Sequence, residues 1–551
     1  MSYLDVPRLH FSGIFIANPS TINNDPANYN PAVTNPSPSW NPNGNHFWQF
    51  KNCTVRGAVG ATGKLLKAAT DDPLIGASVA STDSPSPAKL VDLDTDQQGV
   101  SEVWGLQVKV AISAKDYFIG LFRVAPFDDL WGRLQSTGAG SDGTVGAYYQ
   151  SVLELVSWSN RTSSPLLAAL KQASPAALSI KFVVDRFQGD STKPDFTQGR
   201  IVGTIGPQWA DEPPHFVIGR LLRPQTFDKR HAAQNSPLYY APARVDAIRK
   251  RLLLDLGNSI PTTKSGGPPK LGNLQAAIVP ANAPPVILGN IKYSLKDYET
   301  TACIQEFPLT DAQVGQIANN PVGVIQVTPA QGGKPPGTAV LLQENPAGAY
   351  VNVTQFVYRM NPGDVVGVEL IATQFGTPAA NQTITLNYDN SQIGSTGQPQ
   401  SALTFPASAT TGSDGRVSFC MTAGDPGNPR QFIDGQVYGV SFSWALDNDP
   451  QFPPDPNKFI SVRVFDRFDE APTWANLQPI LQQYAKLYPF MVSRMNIADL
   501  QTIQSNIPAL QMVLNMPITD PRYMPVTRDM SRDIRQALIE WLNLGAPGSA
   551  S

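Results

Sequence analysis

The four histidines have the broadest chemistry in this sequence, because imidazole transfers protons near neutral pH and binds haem iron or divalent metals. His10 and His46 each adjoin aromatic residues and flank a long Asn/Pro-rich stretch, 18–45. If their strands pair, both imidazoles reach one pocket. We therefore predict any functional site under this stretch, with His10 and His46 as candidate catalytic residues and candidate ligands of haem or a divalent metal. The alternative is that each ring only satisfies buried backbone groups.

Alternating carboxylates form a second candidate site. Asp92, Asp94 and Asp96 are spaced as in a calcium-binding loop, although the glycine and glutamate that complete an EF-hand are missing. They are candidate metal ligands, and a solvated turn is the alternative. A second oxygen-rich run, interrupted by prolines, contains Asp447, Asn448, Asp449, Asp455 and Asn457.

Two arginines in the run Gly-Arg-Leu-Leu-Arg-Pro form a third candidate site. Arg220 and Arg223 project to opposite faces or ends of a short strand. A guanidinium binds a carboxylate through two parallel hydrogen bonds, so each is a candidate catalytic residue that clamps an acidic ligand. The alternative is an internal ion pair with Asp92 or Asp128. We find no Gly-x-Ser-x-Gly elbow, phosphate-binding loop, dinucleotide fingerprint or Cys-x-x-Cys pair.

The composition indicates which elements position these residues. Hydrophobic residues make up 41% of the chain and charged residues 15%, while 50 Pro and 43 Gly are spread along it. Proline lacks the donor that a helix interior needs and glycine loses entropy there, so long helices are disfavoured. We predict a mainly β protein with a large antiparallel β region over 1–345, an Ig-like β-sandwich over 350–467 and a small C-terminal helical cap over 473–545.

The first strand, predicted over 3–17, changes its alternation half-way. Its apolar residues follow one phase up to Phe11 and the other phase from Ile14. One extra residue reverses the face of everything after it, so a bulge at Ser12–Gly13 explains the change.

Alternating runs predict further strands in this region at 46–59, 105–111, 118–122, 179–187, 200–206 and 249–256. A short helix is predicted over 129–135, and 148–158 fits either a helix or a strand. The Pro/Gly-rich stretches 261–286 and 328–338 are predicted breaks.

The two later regions differ in periodicity. From Thr473 the apolar residues recur at helical spacing, which predicts helices near Leu477, over 497–507 and over 532–544. Strand-like runs divided by turn residues predict the sandwich strands at 350–357, 364–372, 382–387, 416–421, 436–444 and 459–465.

Seven segments are similar, in the same order, to the N-terminal half of one enzyme family. The resemblance is to the chromopyrrolate synthases, or iminophenylpyruvate dimer synthases, of violacein- and rebeccamycin-type pigment pathways, and it spans essentially the whole chain. The segments are 3–16 (YLDVPRLHFSGIFI), 45–47 (NHF), 122–134 (FRVAPFDDLWGRL), 219–224 (GRLLRP), 256–261 (LGNSIP), 487–491 (LYPFM) and 523–531 (YMPVTRDMS).

The resemblance implies aromatic or amino-acid-derived specialised metabolism and an association with haem. In the synthases a ferritin-like domain with a Glu and Glu-x-x-His metal set follows the part that this chain resembles. No segment up to Ser551 matches that domain. Glu212-Pro-Pro-His215 cannot replace the set, because two prolines forbid the helical turn that joins its side chains. The resemblance therefore carries no expectation of oxidative dimer formation.

Charge and cysteine content limit the partners and the compartment. With 41 Lys+Arg against 44 Asp+Glu, the net charge of -3 provides no field to hold nucleic acid or an anionic membrane. Cys53, Cys303 and Cys420 fit neither a disulfide framework nor a metal clip and are predicted to be buried, reduced thiols. No secretion signal or membrane span is recognisable, which predicts a cytoplasmic protein.

Three functions remain open. The first is a scaffold or binding protein of specialised metabolism that holds a partner enzyme or a small aromatic ligand in a β-rich cleft. The second is an enzyme of natural-product biosynthesis that acts on a small aromatic or amino-acid-derived substrate through His10 or His46. The third is a lectin-like or adhesive protein built on the sandwich. The absence of familiar catalytic motifs favours the first, and the resemblance supports the second.

Overall fold

The computed structural model describes most of the chain, and within that part the protein is mainly β, which confirms the predicted fold class. The antiparallel sheets come first, and most of the helix lies near the C-terminus. His231, Asn457, Gln135, residues 34–38 of the 18–45 stretch and residues 329–336 of the predicted break at 328–338 lie outside the described residues. The described residues are 3–33, 39–82, 86–134, 143–225, 237–328, 337–391, 393, 397–455 and 458–548.

The first sheet closes on itself. Its 13 strands are β1 (Arg8–Asn18), β2 (Phe47–Val59), β3 (Leu65–Leu66), β4 (Ser78–Ser81), β5 (Ala88–Asp94), β6 (Gln97–Trp104), β7 (Gln107–Ser113), β8 (Asp116–Phe122), β9 (Ala125–Pro126), β10 (Asp128–Trp131), β11 (Gly146–Trp158), β12 (Leu178–Asp185) and β13 (Gln198–Pro207). Strands pair in the order β1-β13-β12-β11-β8-β7-β4-β2, and β2 pairs again with β1, which completes an antiparallel ring. Strands β5, β6 and β9 extend the sheet from β2. Helix α1 (Pro165–Ala173) packs its leucines into the core of the ring.

Aromatic side chains fill the interior of the ring. Trp48 from β2 and Phe182 from β12 are almost fully buried, with 5.4 Å between their ring centroids. Phe50 lies edge-on to Phe182 at 5.7 Å. The inward-facing residues of facing strands therefore make one packed core.

The bulge predicted in β1 lies in its partner strand. Strand β1 pairs with β13 without interruption from Leu9 to Ile16, so Ser12–Gly13 contributes no extra residue. The register between β1 and β2 shifts twice, and both extra residues belong to β2. Strand β1 consequently keeps its phase, burying Phe15 and leaving Ile14 half-buried. The predicted reversal of its faces was wrong.

The predicted helix at 129–135 was also wrong where the chain is described. Residues Asp128–Trp131 form β10, which pairs with β11 through Asp128 and Tyr148. The ambiguous segment 148–158 is the strand β11 itself. Backbone pairing along β11 outweighs the weak helical preference of so short a segment.

A second antiparallel sheet follows and has its own core. Its eight strands pair in an order that does not follow the chain. In chain order they are β14 (Arg220–Pro224), β15 (Ala241–Asp246), β16 (Arg251–Asp255), β17 (Asn273–Ile278), β18 (Val286–Asn290), β19 (Ile304–Pro308), β20 (Val322–Thr328) and β21 (Gly337–Gln343), with helices α2 (Leu295–Thr301) and α3 (Asp311–Ile317) between them. Strand β17 lies inside the predicted break at 261–286. The short apolar run between the two Pro/Gly-rich flanks is long enough to form a strand.

Two five-stranded sheets then pack face to face on a shared apolar core, which is the predicted sandwich. All pairings in it are antiparallel among the described strands except that of β23 with β31. One sheet contains β22 (Ala349–Val353), β24 (Val365–Gln374), β25 (Thr377–Pro378), β27 (Leu403–Thr404) and β29 (Arg416–Ala423), and the other contains β23 (Val357–Met360), β26 (Thr383–Tyr388), β28 (Ser408–Thr410), β30 (Gln436–Trp444) and β31 (Ile460–Val464). The domain boundaries themselves stay a prediction.

The helical cap begins after Thr473, where the periodicity changes. Its helices are α4 (Trp474–Leu487), α5 (Pro489–Val492), α6 (Leu500–Ser505), α7 (Ile507–Leu514) and α8 (Arg532–Asn543). Their core also takes in Ile22 and Tyr29 from the 18–45 stretch. None of the helices in the described part of the chain is both long and apolar enough to cross a membrane.

The three cysteines are unbridged, and one of them is exposed. Cys53 and Cys303 are buried, whereas Cys420 alternates onto the solvent face of β29 between two buried neighbours. The prediction of buried thiols was therefore wrong for Cys420.

We expect a thiol reagent to modify one cysteine rapidly in the folded protein and three after denaturation without reductant. Burial raises the pKa of the Cys53 and Cys303 thiols to about 12, so both lack access and thiolate character. Cys420→Ser should abolish the fast reaction, and Cys53→Ser should leave it intact. Fewer than three reactive thiols in denaturant would contradict the unbridged assignment.

Candidate functional site

Strands β1 and β2 pair, but their pairing separates the two candidate histidines. His10 lies beside Gly57, whereas the backbone N–H of His46 donates to Asn18 O at the other end of β1. At about 3.3 Å per residue, the strand from His10 to Asn18 spans about 26 Å. The structure does not bring the two imidazoles into one pocket.

Each of these imidazoles is buried within the fold. His10 Nδ1 lies 2.9 Å from Thr204 Oγ1, and His46 Nδ1 lies 3.2 Å from Leu90 O, to which it donates. Burial lowers the pKa of His10 well below its ordinary value and that of His46 to about 4, so both rings are neutral at physiological pH. Nε2 of each ring is buried and has no hydrogen-bond partner among the described residues, and the separation of the two rings excludes one metal ion shared between them. No group of three or more His, Cys, Asp or Glu among the described residues is placed to hold a metal ion.

Two of the three alternating carboxylates contact arginines from the sandwich region. Asp94 lies 2.7 Å from Arg430 Nη1 and 3.1 Å from Arg463 Nη1. Asp96 lies 2.9 Å from the same Arg430 atom. The guanidinium groups supply the positive charge that a metal ion would bring, so these residues join β5 and β6 to the sandwich.

Arg220 and Arg223 are committed to buried ion pairs. Arg220 also donates through Nη2 to two backbone carbonyls, which leaves little of its fork for a ligand. Neither pairs with Asp92 or Asp128, so the predicted partners were wrong. Strand β14 belongs to the second sheet, and its two arginines pair with carboxylates that follow β21 of that sheet and β30 of the sandwich. The observed partners of Arg220 and Arg223 are Glu344 and Asp447, respectively.

A cavity of about 480 Å³ lies where the 18–45 stretch crosses β1. Trp40 of that stretch packs edge-on against Phe187 with 5.8 Å between ring centroids, and Phe15 stacks on Phe187 at 6.1 Å. The sequence predicted a site under this stretch, although neither candidate histidine lines the cavity. We call it the aromatic cavity, after its lining by Phe15, Trp40, Trp48, Phe127, Tyr149 and Phe187.

Polar groups in the lining of the aromatic cavity differ in how well they are satisfied. Asp185 is held by ion pairs with Arg133 at 3.0 Å and Arg200 at 2.6 Å. Asp92 accepts a hydrogen bond from a serine hydroxyl. Asn24 Oδ1 is buried and has no hydrogen-bond partner in the described part of the chain. This oxygen is therefore a buried acceptor that the described residues leave unsatisfied.

A second cavity, of about 370 Å³, adjoins the first. Gln98, Gly99, Phe127 and Leu130 line both of them, so the cavities share a wall. Asp128 and Asp129 of β10 line the second cavity, which we call the acidic cavity. An aromatic surface and a charged surface therefore lie side by side.

Three carboxyl groups and one ammonium group meet at the acidic cavity. Lys458 Nζ forms an ion pair with Asp128 Oδ2 and lies 3.2 Å from Asp129 Oδ1. Tyr148 donates its hydroxyl proton to Asp128 Oδ2 at 3.0 Å. The neighbouring Asp455 carboxyl also raises the pKa of Asp129.

The electrostatics of this cluster make Asp129 the group that titrates near neutrality. Burial raises the pKa of Asp129 to about 7 and also raises the pKa of Asp128. Burial alone would lower the pKa of Lys458, but the carboxylates around it raise that pKa well above its ordinary value. Asp129 also has a φ of 50°, a left-handed backbone conformation that costs energy for residues other than glycine. Shifted acids beside a cavity are typical of functional sites.

The sequence prediction missed most residues of these two cavities. Trp40 had a readable signal, since it is the sole tryptophan of the Asn/Pro-rich stretch. Adjacent Asp128 and Asp129 within an otherwise apolar run also had one, because burying two neighbouring carboxyls requires a counter-charge or a proton. Lys458 had none, since it meets Asp128 across a sequence separation of 330 residues.

Comparison with known proteins adds little to this description. No protein-family model and no curated protein matches the chain. Domains 4 and 5 of the S-layer protein SbsC match this chain with 8% sequence identity and a TM-score of 0.15. The match covers 39% of this chain and 82% of the SbsC chain. Salmonella alpha-2-macroglobulin reacted with methylamine matches with 11% sequence identity and a TM-score of 0.16. That match covers 98% of this chain and 35% of the macroglobulin chain. Both TM-scores are too low to carry an argument.

Asp129→Asn should change the dependence of stability on pH. The Asp129 carboxyl, with a folded pKa of about 7 and an unfolded pKa of about 4, binds a proton more strongly when folded. Its contribution to stability is thus present below about pH 4 and lost as the pH rises through about 7. Relative to wild type, the variant should gain stability from about pH 4 to about pH 7, by at most about 1.4 kcal/mol per pH unit.

Urea unfolding of both proteins across this pH range measures the difference. Asp195→Asn, at an exposed carboxyl, is the control and should follow the wild-type curve. Parallel curves for Asp129→Asn and wild type would show that Asp129 is ionised throughout.

Proposed function

We propose that this chain is a binding protein that holds a small, flat aromatic molecule in the aromatic cavity. The observation that supports the proposal is the lining of that cavity by six aromatic side chains on the ring of strands and the 18–45 stretch. Aromatic rings pack favourably through offset-stacked and edge-to-face contacts, and both kinds already occur in this lining. A volume of about 480 Å³ is within the usual range for small-molecule sites.

The proposed ligand is neutral or cationic and carries an N–H or O–H donor. Asn24 Oδ1 offers it a buried acceptor. An anionic ligand is disfavoured, because Asp92 and Asp185 line the cavity and the nearby guanidinium groups of Arg133 and Arg200 are already paired with Asp185.

We place this ligand in aromatic or amino-acid-derived specialised metabolism, where the protein would act beside a partner enzyme. The resemblance to the N-terminal region of the chromopyrrolate synthases supports this proposal. Two of the similar segments, 3–16 and 122–134, contribute Phe15 to the aromatic cavity and Asp128 and Asp129 to the acidic cavity. The likeness therefore includes some of the residues that line the two cavities.

Catalysis is the second candidate function, and Asp129 is the observation that favours it. A carboxyl group with a pKa of about 7 can accept and return a proton at neutral pH. It lines the cavity that shares a wall with the aromatic one. Proton transfer to or from a bound aromatic substrate is the reaction type that this arrangement supports.

For the compartment, we propose the cytoplasm. The three unbridged cysteines support it, because an exposed thiol such as Cys420 persists best where thiols are kept reduced.

Indole should bind to the full chain, and naphthalene should bind less tightly, because only indole offers an N–H to Asn24. Trp40→Ala should weaken indole binding by about tenfold through loss of ring contact. Asn24→Ala should weaken the binding of indole and not that of naphthalene. Isothermal titration calorimetry gives each dissociation constant.

Trp209→Ala is the matched control, because Trp209 is an exposed tryptophan outside the cavity, with 37% of its surface accessible. It should bind indole as wild type does. Equal affinity of the Trp40 and Trp209 variants, or no binding to wild type, would contradict the proposal.

His10→Gln and His46→Gln should leave indole affinity unchanged. Both rings are buried in the fold and neither lines the aromatic cavity. The variants are checked for folding by circular dichroism before titration. Weaker indole binding by a folded variant would show that the replaced histidine contributes to the binding site.

A further inference from the structure

The C-terminal helices enclose a separate cavity of about 180 Å³. It lies among helices α4 to α8 and the connections that follow α5 and precede α8. It shares no lining residue with the aromatic or the acidic cavity. Every described residue that lines it is aliphatic, aromatic, methionine or proline. We call it the helical cavity.

The polar tips in this lining are already used elsewhere. Tyr484 and Tyr488 donate their hydroxyl protons to the two oxygens of Asp529, at 3.1 Å and 2.9 Å. Trp541 Nε1 donates to Pro547 O at 3.1 Å. The helical cavity therefore presents hydrocarbon, ring faces and thioether groups, with no polar group left for water or an ion.

Size and chemistry together define what such a space takes up. A water molecule needs two or more polar partners, so an apolar cavity of this kind stays dry. An apolar cavity of about 150 Å³ is large enough for benzene. The volume of about 180 Å³ thus matches one aromatic ring or a short hydrocarbon.

One side of the helical cavity is open to entry. Met491, Met495 and Ile497 are half-buried and Ala509 is exposed, whereas Trp541 at the far wall is fully buried. Methionine side chains are unbranched and flexible, so they adapt to the shape of an incoming molecule. The helical cavity therefore has a fully buried inner wall at Trp541 and an opening lined by the flexible side chains of Met491 and Met495.

We propose that the helical cavity is a second binding site, for a small uncharged hydrophobic molecule about the size of one aromatic ring. Burial of that molecule's apolar surface provides the affinity, and the lack of polar groups excludes charged and strongly hydrated ligands. The site is independent of the proposed function, because none of its lining belongs to the aromatic cavity.

Fluorobenzene added to the full chain tests the proposal, with methionine methyl NMR as the readout. Four of the 9 methionines line the helical cavity, namely Met491, Met495, Met524 and Met530. Their signals should shift on binding, while those of Met360 and Met421 in the sandwich core should not. The Trp40→Ala variant should show the same shifts, which separates this site from the aromatic cavity.

Two variants reduce the volume of the helical cavity. If one of them fails to fold, the other still tests the proposal. Ala509→Phe at the mouth and Val513→Phe in the lining should each weaken fluorobenzene binding by at least about tenfold. Ala475→Phe, at an exposed alanine of α4 outside the cavity, should bind as wild type does. Absence of shifts at the four methionines in wild type, or unchanged binding in a folded Phe variant, would overturn the proposal.

Discussion

Burial of charge between the ring of strands and the sandwich is the constraint on which both adjoining cavities depend. Lys458 is enclosed with Asp128 of β10, and Asp94 of β5 lies against Arg430 and Arg463. A buried charge that loses its partner costs several kcal/mol, so each pair requires its two elements to stay together. These pairs therefore hold β5 and β10 against the sandwich, and β10 carries the carboxyl groups of the acidic cavity.

The aromatic cavity also depends on the part of the 18–45 stretch that covers it, through Pro19, Thr21, Asn24 and Trp40. We call this cover the roof. A long connection with only two short 3-10 helices, Ile22–Asn24 and Pro26–Tyr29, needs further partners for its backbone groups. The helical cap supplies two of them, since Gln483 Nε2 donates to Tyr29 O at 2.8 Å and Lys486 Nζ donates to Asn30 O at 2.9 Å. Helix α4 thus holds Tyr29 and Asn30 of this stretch in place, while Trp40 packs against Phe187. The first sheet and the 18–45 stretch line the cavity, and the helical cap holds part of that stretch in place.

Local patterns in the sequence predicted local structure well and predicted contacts poorly. Alternation and turn residues revealed the sandwich, and helical spacing after Thr473 revealed the cap. The alternation in β29, where buried residues flank Cys420, also contained the information that this thiol faces solvent. Register between strands is a property of two segments at once. The sequence for that reason could show neither the separation of His10 from His46 nor the meeting of Lys458 with three aspartates.

Anomalous diffraction from crystals soaked with 5-bromoindole tests the central claim most directly, because bromine reports position without assuming an affinity. Our account predicts a bromine peak beneath the 18–45 stretch, among the rings of Trp40, Phe187 and Tyr149, with the indole N–H directed to Asn24. Well-diffracting soaked crystals with no bromine peak in that space, while the roof keeps the conformation described above, would contradict it.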